Sequence, residues 1–192
     1  MIKEVHIIAK GVGWDAAPEE GETWGVNDII LRRDTLRMAF HLHNLPWIEE
    51  TNWRNEATSI KHISDKCVRN SVPLMTLEKW EQYPTSVKYP LDEIIEKFGS
   101  TYFGSSIDLM VAYALYENFD IINLYGVNMV IVKEFAEQKP SMEYWIGKAE
   151  GMGKEVNVYA GGHSNVMKTF NGQIYGYNLE QFKVHQIKER KK

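Results

Sequence analysis

Short apolar runs that end at glycine or at polar residues recur along this chain, and segments with helical spacing separate them. Residues 5–9 read VHIIA and precede Lys10 and Gly11, while residues 121–125 read IINLY and precede Gly126. A strand that is apolar at successive positions is buried on both faces, as the strands of a parallel sheet are. The alternation of such strands with helices predicts an α/β fold, a mostly parallel sheet with helices on both faces.

Helical patterns fall between the strands. Apolar residues recur at near-helical spacing over residues 53–70, Pro90 and Gly99 bracket a second pattern, and a third over residues 139–153 has Pro140 in its first turn. Proline is favoured at the start of a helix and glycine just beyond its end. We therefore expect a helix in each segment.

A further helix is expected over residues 105–118, and it is apolar on all sides. Such a helix is buried on two sides. We expect one face on the sheet and the other against a second copy in a homodimer or higher symmetric oligomer. The competing interpretation is that residues 170–182, rich in Tyr and Phe, cover the outer face. The outer face would consist of Leu109, Ala112, Tyr113 and Tyr116.

Length and charge limit the classes of protein to which the chain belongs. The 192 residues fit a single domain over residues 1–182, followed by a basic tail over residues 183–192. That tail has a net charge of +4 and the whole chain −4, so the body carries −8. An acidic body argues against a surface that follows a phosphate backbone, and nucleic acid is not expected as a partner.

The apolar runs are also too short to span a membrane, because Asn and Gly interrupt them. Lys3, Glu4 and His6 break the apolar opening that a secretory signal would need, so we expect a cytoplasmic protein. The lone Cys67 has no disulfide partner, and we expect it to lie buried on a helix.

Candidate ligand-binding residues follow the predicted strands. In parallel α/β sheets, ligands bind beyond the carboxyl ends of the strands, near the point where the strand order reverses. Glycine-rich or polar residues follow four strands here: Lys10, Gly11, Val12, Gly13 and Trp14 after the first, Asn27 and Asp28 after the second, His43 after the third, and Gly126 and Asn128 after the run IINLY.

Each of these residues has a structural alternative. Gly11 and Gly13 lack the third glycine of a dinucleotide fingerprint, so a tight turn and a phosphate-contacting loop remain equally open. Lys10 beside them could meet a phosphate as a point charge. Asn27 could bind a sugar hydroxyl or a base edge, or could be a turn residue.

His41 and His43 lie at positions i and i+2 and would share a face of one strand. No carboxylate or thiol lies near enough in the sequence to complete a metal site, and no metal is predicted. His43 is then a ligand contact or a structural histidine. The chain also lacks the G-x-S-x-G, Walker, H-E-x-x-H and C-x-x-C motifs.

Two further segments add polar candidates. Ser105 and Ser106 begin the apolar helix, whose free N–H groups attract anions, so they are expected to cap the helix and to contact a phosphate. Glu134 and Gln138 lie in a polar segment before the last predicted helix. That segment is a solvated loop or a lid that closes on a substrate.

The motif order resembles a Rossmann-like superfamily. The order is GVG after the first strand, WGVN at the second, F-x-x-H at the third, and then SSIDLMVAYALYENFDIINLYGVNM. The superfamily includes the bacterial CMP-sialic-acid-using sialyltransferases, the motility accessory factors and the 6-hydroxymethylpterin pyrophosphokinase-like proteins. The chain looks most like small uncharacterised phage proteins of that group, which share the later EYWIG and YGY blocks. This resemblance implies a phage-encoded protein in the host cytoplasm.

The resemblance also implies site residues. Residues 11–14 would form the loop on the phosphate side, Asn27 would contact the nucleotide, and Ser105 and Ser106 would hold the nucleotide sugar. Many relatives have aspartate where this chain has Asn128, and their catalytic tyrosines and base histidine have no clear match, although His163 in GGHSN lies in a suitable loop.

Two functions are open at this point. The first is a transferase that binds a nucleotide or nucleotide-sugar in a single nucleotide-binding domain, performs glycosyl or pyrophosphoryl transfer, and uses His43, Glu134 or His163 as acid or base. The second is a non-catalytic protein that binds a nucleotide-derived small molecule as a counter-defence or regulatory factor. Neither requires a further cofactor.

Overall fold

Seven parallel strands form one sheet in the part of the chain that the computed structural model describes, residues 2–44 and 59–168. The spatial order is β5-β4-β3-β2-β1-β6-β7, and each neighbouring pair is parallel. The predicted α/β class with a parallel sheet is therefore confirmed. The strands are β1 Glu4–Ile8, β2 Glu22–Val26, β3 Met38–His41, β4 Leu74–Thr76, β5 Ser86–Lys88, β6 Ile121–Tyr125 and β7 Glu155–Tyr159.

Helices cover both faces of this sheet. Helices α1 and α2 lie on one face, and α3, α4 and α5 lie on the other. Pro90 precedes α3, and Gly99 ends it in the left-handed conformation, as their positions predict. The part of the predicted helix at residues 53–58 lies outside the described residues. The helices are α1 Ile29–Arg32, α2 Ile60–Asn70, α3 Leu91–Phe98, α4 Ser106–Tyr116 and α5 Lys139–Gly151, with a 3-10 turn at Trp14–Ala16 and a π-helical turn at Glu134–Gln138.

The smaller of the two cores lies between the sheet and α1 and α2. Ile29 and Ile30 of α1 and Ile63 of α2 are fully buried there. Cys67 of α2 is buried in the same core, as predicted, and burial raises the pKa of its thiol to about 12. Among the described residues, no helix has both the length and the apolar composition that a membrane span requires.

Helix α4 is buried on two sides, but the neighbour on its second side was predicted wrongly. Tyr113 points to the sheet, with its ring centroid 5.3 Å from that of Trp24 and 5.9 Å from that of Phe40. Ala112 is fully buried, and α3 and α5 of the same chain pack against the helix. The exposed apolar face that was to bind a second copy is therefore absent from α4. The alternative cover, residues 170–182, lies outside the described residues.

The strand order reverses at β1. From β1 the chain builds β2, β3, β4 and β5 on one side and then returns to place β6 on the other side. The loops after β1 and β6 thus leave the same edge of the sheet next to each other. A crevice at such a switch point is the usual ligand position in parallel α/β folds.

Candidate functional site

A cleft of about 590 Å³ opens at this switch point. Residues after β1, β2, β3 and β6 line it, together with the start of α4 and the Glu134–Gln138 turn. The structure brings most of the predicted site residues together in this cleft. Those that line it are Lys10, Gly11, Asn27, His43, Ser105, Ser106, Gly126, Asn128, Glu134 and Gln138.

The loops after β1 and β6 meet closely along one wall. The Gly11 amide donates to the Gly126 carbonyl at 2.9 Å. A Cβ atom on Gly11 would lie 1.7 Å from Asn128 Oδ1 and 2.4 Å from the Gly126 carbonyl oxygen. Gly126 itself has a φ of 66°, a conformation that favours glycine. Both glycines are thus required by the packing of one loop on the other, whatever ligand the cleft binds.

Asn27 lies directly beyond β2 and has a left-handed backbone with a φ of 54°. Its backbone N–H donates to the Phe40 carbonyl at 2.7 Å, and the residue is only 8% exposed. Asparagine tolerates this conformation, which agrees with the turn interpretation. The side-chain Oδ1, however, is buried and accepts no hydrogen bond from any described residue. An amide oxygen in this situation needs a partner, and the cleft that Asn27 lines is where a ligand would supply one.

The serine turn, residues 104–106, begins α4. The Ser105 hydroxyl accepts from the Asp108 amide at 3.3 Å, and the Asp108 carboxylate accepts in return from the Ser105 amide at 3.0 Å. This capping box satisfies two groups at the helix start. Burial raises the pKa of Asp108, and hydrogen bonds from Ser141 and from the Gly104 and Ser105 amides act in the opposite direction.

Charged residues line the cleft after β1 and on the π-helical turn. Lys10 Nζ is 3.4 Å from Asp28 Oδ1, and Arg32 is 2.9 Å from the other carboxylate oxygen. Asp28, the residue before α1, is buried and does not line the cleft, although it was predicted to bind the ligand. It forms an ion pair with Lys10, which does line the cleft. Glu134 and Gln138 also line the cleft and are half-buried on the π-helical turn that leads into α5. The lid interpretation of that turn remains a prediction.

Several predicted residues lie outside the cleft. Val12 is exposed, Trp14 begins the 3-10 turn, and His163 is exposed in the loop after β7. Gly13 has a φ of 89°, and its Cβ would lie 3.1 Å from the Ala160 Cα, away from the cleft. A valine at Gly13 is therefore expected to reduce stability, because its side chain would meet the Ala160 backbone at a position with a positive φ.

Of the predicted histidine pair, His43 lines the cleft and His41 does not. His41 is buried, and its ring centroid lies 5.2 Å from that of His43, which does line the cleft. Within residues 2–44 and 59–168, no three His, Cys, Asp or Glu side chains are grouped as a metal site requires.

Among the residues that the sequence did not single out as candidates, three shape the serine turn. Phe103 and Gly104 line the cleft just before the serine turn, and Asp108 fixes that turn from behind. Asp108 could have been found, because Ser105 to Asp108 reads S-x-x-D, the pattern of a capping box. Phe103 and Gly104 carry no comparable local signal.

Solved sialyltransferase structures have the same fold. CstII from Campylobacter jejuni, in complex with the substrate analogue cytidine-5'-monophosphate, has a TM-score of 0.52 at 13% identity, over 84% of this chain and 81% of that chain. The monofunctional α-2,3-sialyltransferase Cst-I from Campylobacter jejuni has a TM-score of 0.53 at 11% identity, over 89% and 82% of the two chains. CST-II with a trisaccharide acceptor and CMP has a TM-score of 0.51 at 14% identity, over 88% and 89%.

These likenesses confirm the sialyltransferase-like fold that the motif order implies. At such identities they show the fold alone. A scan against protein-family models and a search of curated proteins each gave no match. The phage origin, and the link to motility accessory factors and pyrophosphokinase-like proteins, remain predictions.

Proposed function

We propose that this protein binds a nucleotide-sugar in the cleft at the switch point and transfers the sugar to an acceptor hydroxyl. The observation that carries the proposal is Asn27, whose buried amide oxygen lacks a hydrogen-bond partner among the described residues of the cleft that it lines. The structural neighbours support the choice of ligand, because CstII among them was solved with CMP and with CMP-3FNeuAc.

Asn27 is proposed to bind the nucleoside. Its Oδ1 can accept a hydrogen bond from a ribose hydroxyl or from an exocyclic amine of the base, and its Nδ2 can donate to a neighbouring oxygen. A ligand donor would remove the cost of a buried unsatisfied acceptor, about 1–3 kcal/mol. The free protein already carries this cost, so a ligand that donates to Oδ1 recovers that free energy when it binds.

The phosphate is proposed to lie between the serine turn and the β1 loop. Free N–H groups and the helix dipole at the start of α4 favour an anion there, and Ser105 and Ser106 line the cleft at that point. Lys10, which also lines the cleft, adds a positive charge that Asp28 partly neutralises.

Two residues of the cleft can move the proton. The acceptor oxygen attacks the anomeric carbon of the sugar, the bond from that carbon to the phosphate oxygen breaks, and a nucleoside monophosphate leaves. The acceptor hydroxyl loses its proton to a general base, for which the cleft offers the imidazole of His43 and the carboxylate of Glu134. His163 is not part of this step, because it lies outside the cleft.

Calorimetry with CMP tests the binding step. Asn27→Gly removes the amide and keeps a residue that tolerates a positive φ, so the variant should fold and bind CMP about 5- to 150-fold more weakly, the equivalent of about 1–3 kcal/mol. Asn118→Gly is the matched control, since Asn118 also has a positive φ but is exposed and far from β2 along the chain. The control should bind CMP as the wild type does.

Equal affinities in the wild type and Asn27→Gly would refute the role of Asn27, and no binding of CMP, UMP or AMP by the wild type would refute nucleotide binding. Release of CMP from a CMP-sugar in the presence of acceptor sugars tests turnover. A CMP-sugar that binds and is not consumed would favour the alternative of a non-catalytic binding protein.

A further inference from the structure

A buried carboxylate lies directly behind the serine turn. Asp108 is fully buried, and the described residues that donate hydrogen bonds to its side chain do so through neutral groups: the Ser141 hydroxyl and the backbone amides of Gly104, Ser105 and Leu109. A carboxylate in such a place is stable only while these donors remain in position. Its neighbours are therefore fixed relative to one another.

The capping box explains only part of this arrangement. A capping box needs Ser105 and Asp108, which belong to the same helix start. The shortest bond to Asp108 comes instead from Ser141 of α5, whose Oγ lies 2.6 Å from Asp108 Oδ2. Ser141 Oγ also lies 3.0 Å from the carbonyl oxygen of Gln138, the last residue of the π-helical turn. A continuous set of contacts thus runs from Ser105 to Gln138.

Gly104 joins the same two segments by direct contact. A Cβ atom on Gly104 would lie 2.6 Å from Ser141 Oγ and 2.8 Å from the carbonyl oxygen of Glu137. No side chain fits between the serine turn and the Glu134–Gln138 turn. The two segments are far apart in the sequence, and both line the cleft.

We propose that Asp108 is a positioning residue that holds the serine turn and the Glu134–Gln138 turn as one wall, so that a ligand at the serine turn also fixes where Glu134 and Gln138 lie in the cleft. The proposal rests on the proposed function only for the ligand that occupies the cleft. Asp108 itself does not line the cleft and acts through the groups that it binds.

Hydrogen exchange measured by mass spectrometry tests the link in the free protein. Ser141→Ala removes the hydroxyl between the two segments. Exchange should become roughly 12- to 150-fold faster in peptides covering both residues 104–108 and residues 134–139, the range expected when a carboxylate loses one hydrogen bond. Ser86→Ala is the matched control, because Ser86 is a buried serine with two hydrogen bonds at the other edge of the sheet. It should leave both peptides unchanged.

A second variant separates the link from a general loss of packing. Asp108→Asn keeps one acceptor oxygen for Ser141, so residues 134–139 should exchange more slowly than in Ser141→Ala. The β1 peptide, residues 4–8, reports global unfolding in each variant. If Ser141→Ala also raises exchange in β1, the variant Gly104→Ala is used in its place. Its added methyl group would lie against Ser141 Oγ and the Glu137 carbonyl oxygen, so it would separate the two turns from the side of the serine turn.

Adding CMP completes the test. In the wild type both peptides should become protected, whereas in Ser141→Ala protection should reach only residues 104–108. Faster exchange in only one of the two peptides of free Ser141→Ala would overturn the proposal. A wild type that CMP protects nowhere would refute the proposed ligand, while the comparison of the free proteins would still decide whether the two turns are linked.

Discussion

Replacing Gly11 by alanine is the sharpest test of the loop contact at the switch point. The new methyl group would lie 1.7 Å from Asn128 Oδ1 and 2.4 Å from the Gly126 carbonyl oxygen. The Asn128 side chain can rotate away. The Gly126 carbonyl is backbone, and it also accepts the Gly11 amide at 2.9 Å, so relieving the contact breaks that hydrogen bond.

The cost follows from these two contacts. Inserting a methyl group into a closely packed site costs about 1–3 kcal/mol, and losing the hydrogen bond adds about 0.5–1.5 kcal/mol. We therefore expect the free energy of unfolding to fall by about 2–4 kcal/mol and Tm by roughly 5–15 °C for a chain of this size. The second substitution Asn128→Gly should recover only part of this loss, because the contact with the carbonyl remains.

Urea denaturation and calorimetry of the variants measure these values. Gly147→Ala is the control: Gly147 is exposed in α5 with no atom within 4 Å of its Cβ position, so alanine should raise stability by about 0.5–1 kcal/mol. A Gly11→Ala protein whose Tm lies within about 1 °C of the wild type, below the shift expected for even a small loss of stability, would show that the loops do not meet as described.

Two further predictions concern titratable groups. Burial lowers the pKa of His6 below its ordinary value of 6.5, while Glu4 raises it and Arg33 lowers it. Below pH about 6.5 the unfolded chain then binds more protons than the folded one, so the free energy of unfolding should fall as the pH drops. Urea titrations at several pH values should show a smaller fall for His6→Gln than for the wild type. Equal falls in the two proteins would contradict this prediction. Since burial raises the pKa of Cys67 to about 12, iodoacetamide should label it only in unfolded protein, and rapid labelling of the native protein would contradict this burial.

Local patterns were sufficient for most of the secondary structure. Buried parallel strands are apolar at successive positions, and proline and glycine marked the ends of α3, so both signals lie within a few residues. The β5 strand, Ser86–Lys88, was missed because it is short and half-exposed at the edge of the sheet. The second neighbour of α4 was predicted wrongly because periodicity shows that a face is covered and does not show by what.

The candidate site was predictable to the extent that it follows from parallel topology. Parallel strands end at one edge of the sheet, so polar residues after several strands converge without any long-range information. The prediction failed where the chain turned away from that edge, as it does at Gly13 and His163. Gly104 was missed because its role depends on a contact with α5, more than thirty residues away.

Asn27 shows how a structural requirement and a ligand contact can be separated. A residue with a positive φ is needed beyond β2, and glycine would meet that need without a buried polar group. Asn118 adopts the same conformation at an exposed position, and its Oδ1 accepts from Lys154 Nζ at 3.0 Å. Asn27 meets the same backbone requirement but leaves its buried Oδ1 without a partner among the described residues. Backbone conformation therefore explains why asparagine is tolerated at position 27, and the ligand contact proposed above would account for its buried amide.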